Sequence, residues 1–168
     1  MPDYVQINYE RVLSDGLPGT SADANPTYDA SYINAGEALI PYGRAISKAT
    51  ASLTGTLKPV MPATVMAKLG GDAIIGITLR SVTDEAQPSP NSGETGVAIE
   101  DIGAFRMDGT IKAIAAEKVT AGAKVYADKT TGMLYGTAAD SRVAVGTSVW
   151  MNDAEQNTIG IIDIRGLR

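Results

Sequence analysis

The sequence contains no cysteine and no histidine. Without cysteine there is no disulfide framework, no thiolate nucleophile and no Cys-ligated metal. Without histidine the chain lacks the commonest general base and transition-metal ligand, so Ser-His-Asp and Cys-His machinery are both excluded. Aromatics other than tyrosine are scarce, with one Phe and one Trp. Positive charge is also limited. The formal net charge is −5 and Lys and Arg form no cluster, so the basic face that nucleic acid requires is not there. Apolar runs last only a few residues, far short of a membrane span. The start, Met1-Pro2-Asp3-Tyr4, lacks the basic and apolar blocks of a secretory signal, which points to a product made in the cytoplasm.

What is present is glycine (18 residues) together with abundant Ala, Val, Ile and Thr. Gly plus β-branched residues, broken by frequent turn formers, favours short strands over helices. A length of 168 residues suits one domain and can bury about 70% of its unfolded surface.

Charge divides the chain in two. Residues 1–45 hold six acids and two bases, whereas the remaining 123 residues hold 13 acids and 12 bases. Five of the seven tyrosines also lie in the first 45 residues. Turn formers crowd Ser14 to Thr20 and Asp23 to Pro26. We read residues 1–36 as an extended, acidic N-terminal arm and 37–168 as a β body. Flexible polar tails are usually poor in aromatics, while Tyr is favoured at interfaces. The arm is therefore expected to order on a partner or on its own body. Its candidate contacts are Tyr4, Val5, Ile7, Tyr9, Val12, Leu13, Tyr28, Tyr32 and Ile33.

From Glu37 onward strand candidates recur: Ala38 to Tyr42, Arg44 to Lys48, Leu57 to Met61, Ala73 to Val82, Glu94 to Ile99, Gly103 to Met107, Thr110 to Ala115, Lys124 to Ala127, Met133 to Tyr135 and Arg142 to Met151. A last strand puts Ile162 and Ile164 on one face and Asp163 and Arg165 on the other. In Arg142 to Met151, alternation groups Val143, Val145 and Val149 opposite Arg142 and Ser148. Asp128 to Gly132 reads as a hairpin loop with Tyr126 and Tyr135 paired across it. Pro62 to Leu69 is read as a turn or two of helix, and Asp84 to Gly93 as an exposed loop. The expected fold is all-β: a small barrel or sandwich of about 8–10 short strands with little helix.

Candidate chemistry is thin. Gly71 to Gly76 is the nearest approach to a phosphate loop, but Ile77 and Thr78 follow where Lys and Ser/Thr belong, so it reads as a tight turn into a buried strand. The adjacent pairs Glu100-Asp101 and Asp84-Glu85 would point to opposite faces of a strand, which does not suit paired acid–base work, and they read as a solvated edge or loop. No EF-hand-type calcium loop occurs. Trp150 reads as a core or barrel-end plug. No catalytic, cofactor-binding or metal-ligating residue is assigned, no cofactor is expected, and the expectation is a protein that is not an enzyme.

From Ile40 onward a more specific pattern is present. Ile40-Pro41-Tyr42-Gly43-Arg44, Ile74-Ile75-Gly76-Ile77, and above all Val119-Thr120-Ala121-Gly122-Ala123-Lys124-Val125-Tyr126-Ala127-Asp128 followed by Gly132-Met133-Leu134 resemble motifs of the phage structural cement family. Arg142 to Gly146 and Ile161 to Leu167 resemble its last two strands. The likeness covers about three quarters of the chain and leaves the arm largely unmatched. Ala123 stands where the pattern often has Asp. The resemblance implies a β-barrel on the outer surface of the expanded capsid, clamping major capsid subunits. It implies a homotrimer, with a homodimer as the alternative, and no nucleic-acid or membrane partner. Competing expectations are another tail or baseplate component of the virion and a carbohydrate-binding β module.

Overall fold

The computed structural model describes residues 17–22, 27–49, 66–80 and 95–167. The strand expected at Leu57 to Met61 and the loop Asp84 to Gly93 lie outside these. The described residues form eleven strands and no helix. The strands are β1 (Tyr28–Asn34), β2 (Ile40–Pro41), β3 (Ala45–Lys48), β4 (Met66–Leu69), β5 (Ile74–Thr78), β6 (Gly96–Val97), β7 (Ile102–Ile114), β8 (Lys124–Asp128), β9 (Leu134–Tyr135), β10 (Arg142–Trp150) and β11 (Ile159–Ile164).

Five strands close a barrel in the order β1-β4-β3-β5-β7, with β7 returning to pair with β1. The β1–β4 pairing is parallel, Ile33 opposite Met66 and Asn34 opposite Ala67, and the others are antiparallel. Closure removes open strand edges, which are otherwise templates for aggregation. β7 is 13 residues long and serves two structures. Its first half, Ile102 to Asp108, pairs with β1; from Gly109 to Ile114 it pairs with β11. From there the sheet continues β11-β10-β8-β9. A parallel bridge between Ala115 and Leu134 brings β9 back to the end of β7.

Two apolar clusters fill the interior. Ile40, Tyr42, Ile46, Ala67, Val97 and Phe105 pack inside the barrel. The larger cluster joins Ile74 and Ile77 of the barrel to Val125, Leu134, Val145, Trp150, Ile162 and Ile164 of the second sheet. Ile162 and Ile164 are fully buried while Arg165 is exposed, as alternation requires. Trp150 is fully buried and its Nε1 donates to Tyr135 O at 3.2 Å. Tyr126 and Tyr135 are register partners across the β8–β9 hairpin. Its loop is closed by Asp128 Oδ1, which accepts from the Thr130 and Thr131 amides at 2.9 and 2.8 Å.

Three expectations need correction. Tyr28–Asn34, assigned to the arm, is a barrel strand, because its pairing with β7 runs from Tyr28 to Ile33 and buries Ile33 and Asn34. Met66–Leu69, read as helical, is a strand. Its residues are good helix formers, but pairing with both β1 and β3 and complete burial of Ala67 override that local preference. In β10 the alternation changes phase: Val145, Ser148 and Trp150 are buried and Val149 is not. Gly146 has φ +52° and the β8–β10 register shifts between Ala144 and Val149. The irregularity inserts extra residues between paired positions and turns the following side chains over.

Candidate docking surface

The N-terminal segment reaches the body at Leu17 to Ala22. Ser21 bridges Ile111, Gly19 N donates to Lys112 O at 2.7 Å, Lys112 N to Thr20 O at 2.9 Å, and Arg80 N to Gly19 O at 2.9 Å. Gly19 has φ +82°, and a Cβ there would lie 2.8 Å from Arg80 N and 2.9 Å from Thr78 O. Only glycine passes through this slot without displacing backbone.

Arg106, in the middle of β7, ties the segment down further. Its side chain is 5% exposed. Nε and Nη2 donate to the two carboxylate oxygens of Asp29 at 2.8 and 3.0 Å, a bidentate pair. Nη1 donates to Ser21 Oγ at 2.8 Å and to Thr110 O. One buried guanidinium thus joins the N-terminal segment, β1 and β7.

Of the nine residues expected to make contacts, Tyr4, Val5, Ile7, Tyr9, Val12 and Leu13 lie outside the described residues. Ile33 is 7% exposed and so is not available at the surface. Tyr32 is half-buried, packed edge-to-face on Phe105 at 5.9 Å. Tyr28, at 47% exposure, is available at the surface.

Sequence reasoning missed a second exposed apolar group. Ile99, on the tight turn between β6 and β7, is 49% exposed, and Ile102, the first residue of β7, is 64% exposed. Glu100 within that turn has φ +67°, a conformation that L residues avoid. The Glu100-Asp101 pair reads in sequence as a solvated edge or loop and not as a catalytic couple. It sits in a turn, and the turn geometry, which no residue type there announces, comes from its ties to Asn34.

On the second sheet, the loop after β9 is pinned by Glu117 and Arg142. Glu117 Oε1 accepts from the Gly136 and Thr137 amides at 2.9 and 2.8 Å and from Thr137 Oγ1 at 2.7 Å. Arg142 Nη1 donates to Glu117 Oε2 at 3.2 Å, and its guanidinium lies 3.5 Å from the Tyr135 ring centroid. Partial burial pushes the Glu117 carboxyl up. The hydrogen bonds from Thr137 and Gly136, with the Arg142 charge, outweigh it and hold the group below the usual glutamate value. Asp128 is lowered in the same way: burial opposes, and Thr131 and Thr130 prevail. Both groups are more acidic folded than unfolded. Their stabilisation is complete above the ordinary carboxylate range and is lost as pH falls through the depressed values. Unfolding midpoints measured from pH 7 downward are expected to fall in that acidic window. Glu117→Gln is expected to flatten the fall.

Against this geometry, the family model described as "Structural cement protein (E217 gp24/Pam3 gp6)" matches residues 5–165. The chain belongs to the phage structural cement protein family. Its role is capsid cement, or decoration, and its place is the virion capsid. The family match begins at residue 5, so the N-terminal segment, which the motif resemblance left unmatched, is part of the cement protein pattern. A chain in a solved structure titled "The capsid of Myoviridae Phage XM1" has 16% identity, covers 92% of each chain and superposes with a TM-score of 0.66. At that identity the likeness is one of fold. Another, from "The crystal structure of head fiber gp8.5 N base in bacteriophage phi29", has 10% identity over 82% of this cement protein and 95% of that chain, with a TM-score of 0.44. No curated protein matches the sequence.

Proposed function

We propose that this cement protein binds the outer surface of the expanded capsid and holds neighbouring major capsid subunits together, as a homotrimer and without catalysing a reaction. The observation that carries the reading is the family match across nearly the whole chain, residues 5–165, on a closed and rigid barrel. Lattice binding needs complementary surface and several modest contacts, which repeat attachment multiplies through effective concentration. Residues 1–16, with Tyr4, Val5, Ile7, Tyr9, Val12 and Leu13, add contacts to a capsid subunit.

The test is co-sedimentation of purified protein with expanded and unexpanded shells. Retention is expected on expanded shells only, and particles lacking the protein are expected to burst at lower temperature. Absence of binding to expanded shells overturns the reading. A chain lacking residues 1–16 is expected to keep its melting temperature, because the anchored segment from Leu17 is retained, and to bind about tenfold more weakly. Undiminished binding by that truncated chain would show that the segment is not a capsid contact.

A further inference from the structure

We propose that the loop from Asp128 to Gly132 is a latch that closes the seam between the second sheet and the barrel, and that the Asp128 carboxylate sets it.

β7 joins the two sheets, and β8 and β9 stand at the other end of the second sheet's order. The loop between them returns to the barrel through backbone bonds. Ala45 N, in β3, donates to Gly132 O at 2.9 Å. Gly71 N, in the turn from β4 to β5, donates to Lys129 O at 2.7 Å. The approach is close at both points. A Cβ on Gly70 would run into the Lys129 carbonyl, and one on Gly132 would lie 2.5 Å from Ala45 O. Glycine at these positions lets the two backbones meet.

The loop takes its shape from within. Asp128 Oδ1 accepts from the Thr130 and Thr131 amides and, at 2.9 Å, from Thr131 Oγ1. An aspartate bonded to amides two and three residues on is a turn-forming arrangement. Gly132 N closes the loop by donating to Asp128 O at 3.0 Å. One carboxylate thus orients both carbonyls, those of Lys129 and Gly132, that reach the barrel.

Side chains close this end of the seam poorly. Beside the latch is a hollow of about 380 Å³, lined by Thr130 from the loop and by Ala49, Lys68 and Leu69 from the barrel. The Lys129–Asp72 ion pair crosses the seam at 3.4 Å, but it joins two exposed side chains, and such pairs contribute little. Deeper in, Ala45, Ile74 and Ile77 share one apolar cluster with Val125 and Leu134. Loss of the latch therefore loosens the seam without unfolding either sheet.

Amide hydrogen exchange on the whole chain, read residue by residue, tests this with D128A, D72A, G70A and G122A. The quantity compared is the exchange rate of the Ala45 and Gly71 amides relative to the amides of β11, which cancels any general loss of stability. D128A is expected to raise this ratio about tenfold. D72A is expected to leave it at the wild-type value. G70A pushes the loop away from the barrel side and is expected to raise the ratio as D128A does. Gly122 also has a positive φ, +83°, but nothing lies within 4 Å of where its Cβ would be. G122A carries the backbone strain without the collision and is expected to leave the ratio unchanged. D128A decides alone if G70A does not fold. An unchanged ratio in D128A overturns the assignment. So does a rise in D72A as large as in D128A, which would make the ion pair the hold. A rise in G122A as large as in G70A also overturns it, because strain remote from the seam would then suffice.

Discussion

Trp150→Ala is expected to destabilise the protein by about 4 kcal/mol and lower its melting temperature by about 10 °C. The indole is fully buried in the larger apolar cluster, with Val125, Leu134, Val145 and Ile162 among its members. Packing around it is close: a Cβ on Gly160 would lie 2.6 Å from the ring. Removing the ring opens a cavity that a sheet, tied by its ladder on both sides, collapses into poorly. The change also removes the Nε1 donor from Tyr135 O. Tyr135 is in β9, the strand that bridges back to the end of β7. The expected result is thus a loss of the second sheet's closure as well as of packing. Chemical denaturation of wild type, W150A and W150F checks it, with W150F expected to recover more than half of the loss. A W150A protein within about 1 kcal/mol of wild type would show that the indole is not a central packing element.

Asp29→Ala is expected to cost about 3 kcal/mol. Breaking a buried ion pair from one side leaves the other charge without its partner, which typically costs 3–5 kcal/mol. Arg106 is that charge, with its side chain 5% exposed. The lower end of the range applies because Asp29 is 36% exposed, so water can enter the vacated place. Arg106 also keeps its bonds to Ser21 Oγ and Thr110 O. Asp29→Asn, which retains one acceptor, is expected to fall between. Amide exchange supplies a second readout. The amides of Gly19 and of β1 are expected to exchange faster in D29A than those of β11, because the pair links the N-terminal segment to β7 and leaves the second sheet untouched. Uniform acceleration across both sheets would argue against a local anchor.

These two sites differ in how visible they are in sequence. A lone tryptophan at the end of an alternating strand announces a buried plug, and Trp150 is one. Nothing near Asp29 or Arg106 announces their pairing, because 77 residues separate them. The pairing exists only because β1 and β7 run antiparallel with Asp29 opposite Arg106. The same holds for the Ala98 to Ile102 turn. Its local sequence contains no glycine or asparagine at the position with positive φ. Its shape is imposed by Asn34, 66 residues away from Glu100 in the chain. Local propensity also misled at Met66–Leu69, where pairing on two sides outweighed helix preference.

Much of the identity was nevertheless legible. Turn formers at short intervals marked the strands of the second sheet. The Val119 to Leu134 stretch carried the family likeness, and the Asp128 loop within it is closed by bonds spanning only two or three residues. Such local features are written in the residues that make them. Barrel closure is of another kind. The parallel β1–β4 pairing, the sharing of β7 between two sheets, the phase change at Gly146 and the burial of Asn34 and Arg106 all depend on which strands meet. Sequence by itself determined a β protein, because composition and short-range turn chemistry act locally, and its motifs carried the likeness to the cement family. Tertiary structure alone decided which residues face outward, because exposure is set by long-range pairing and not by residue type.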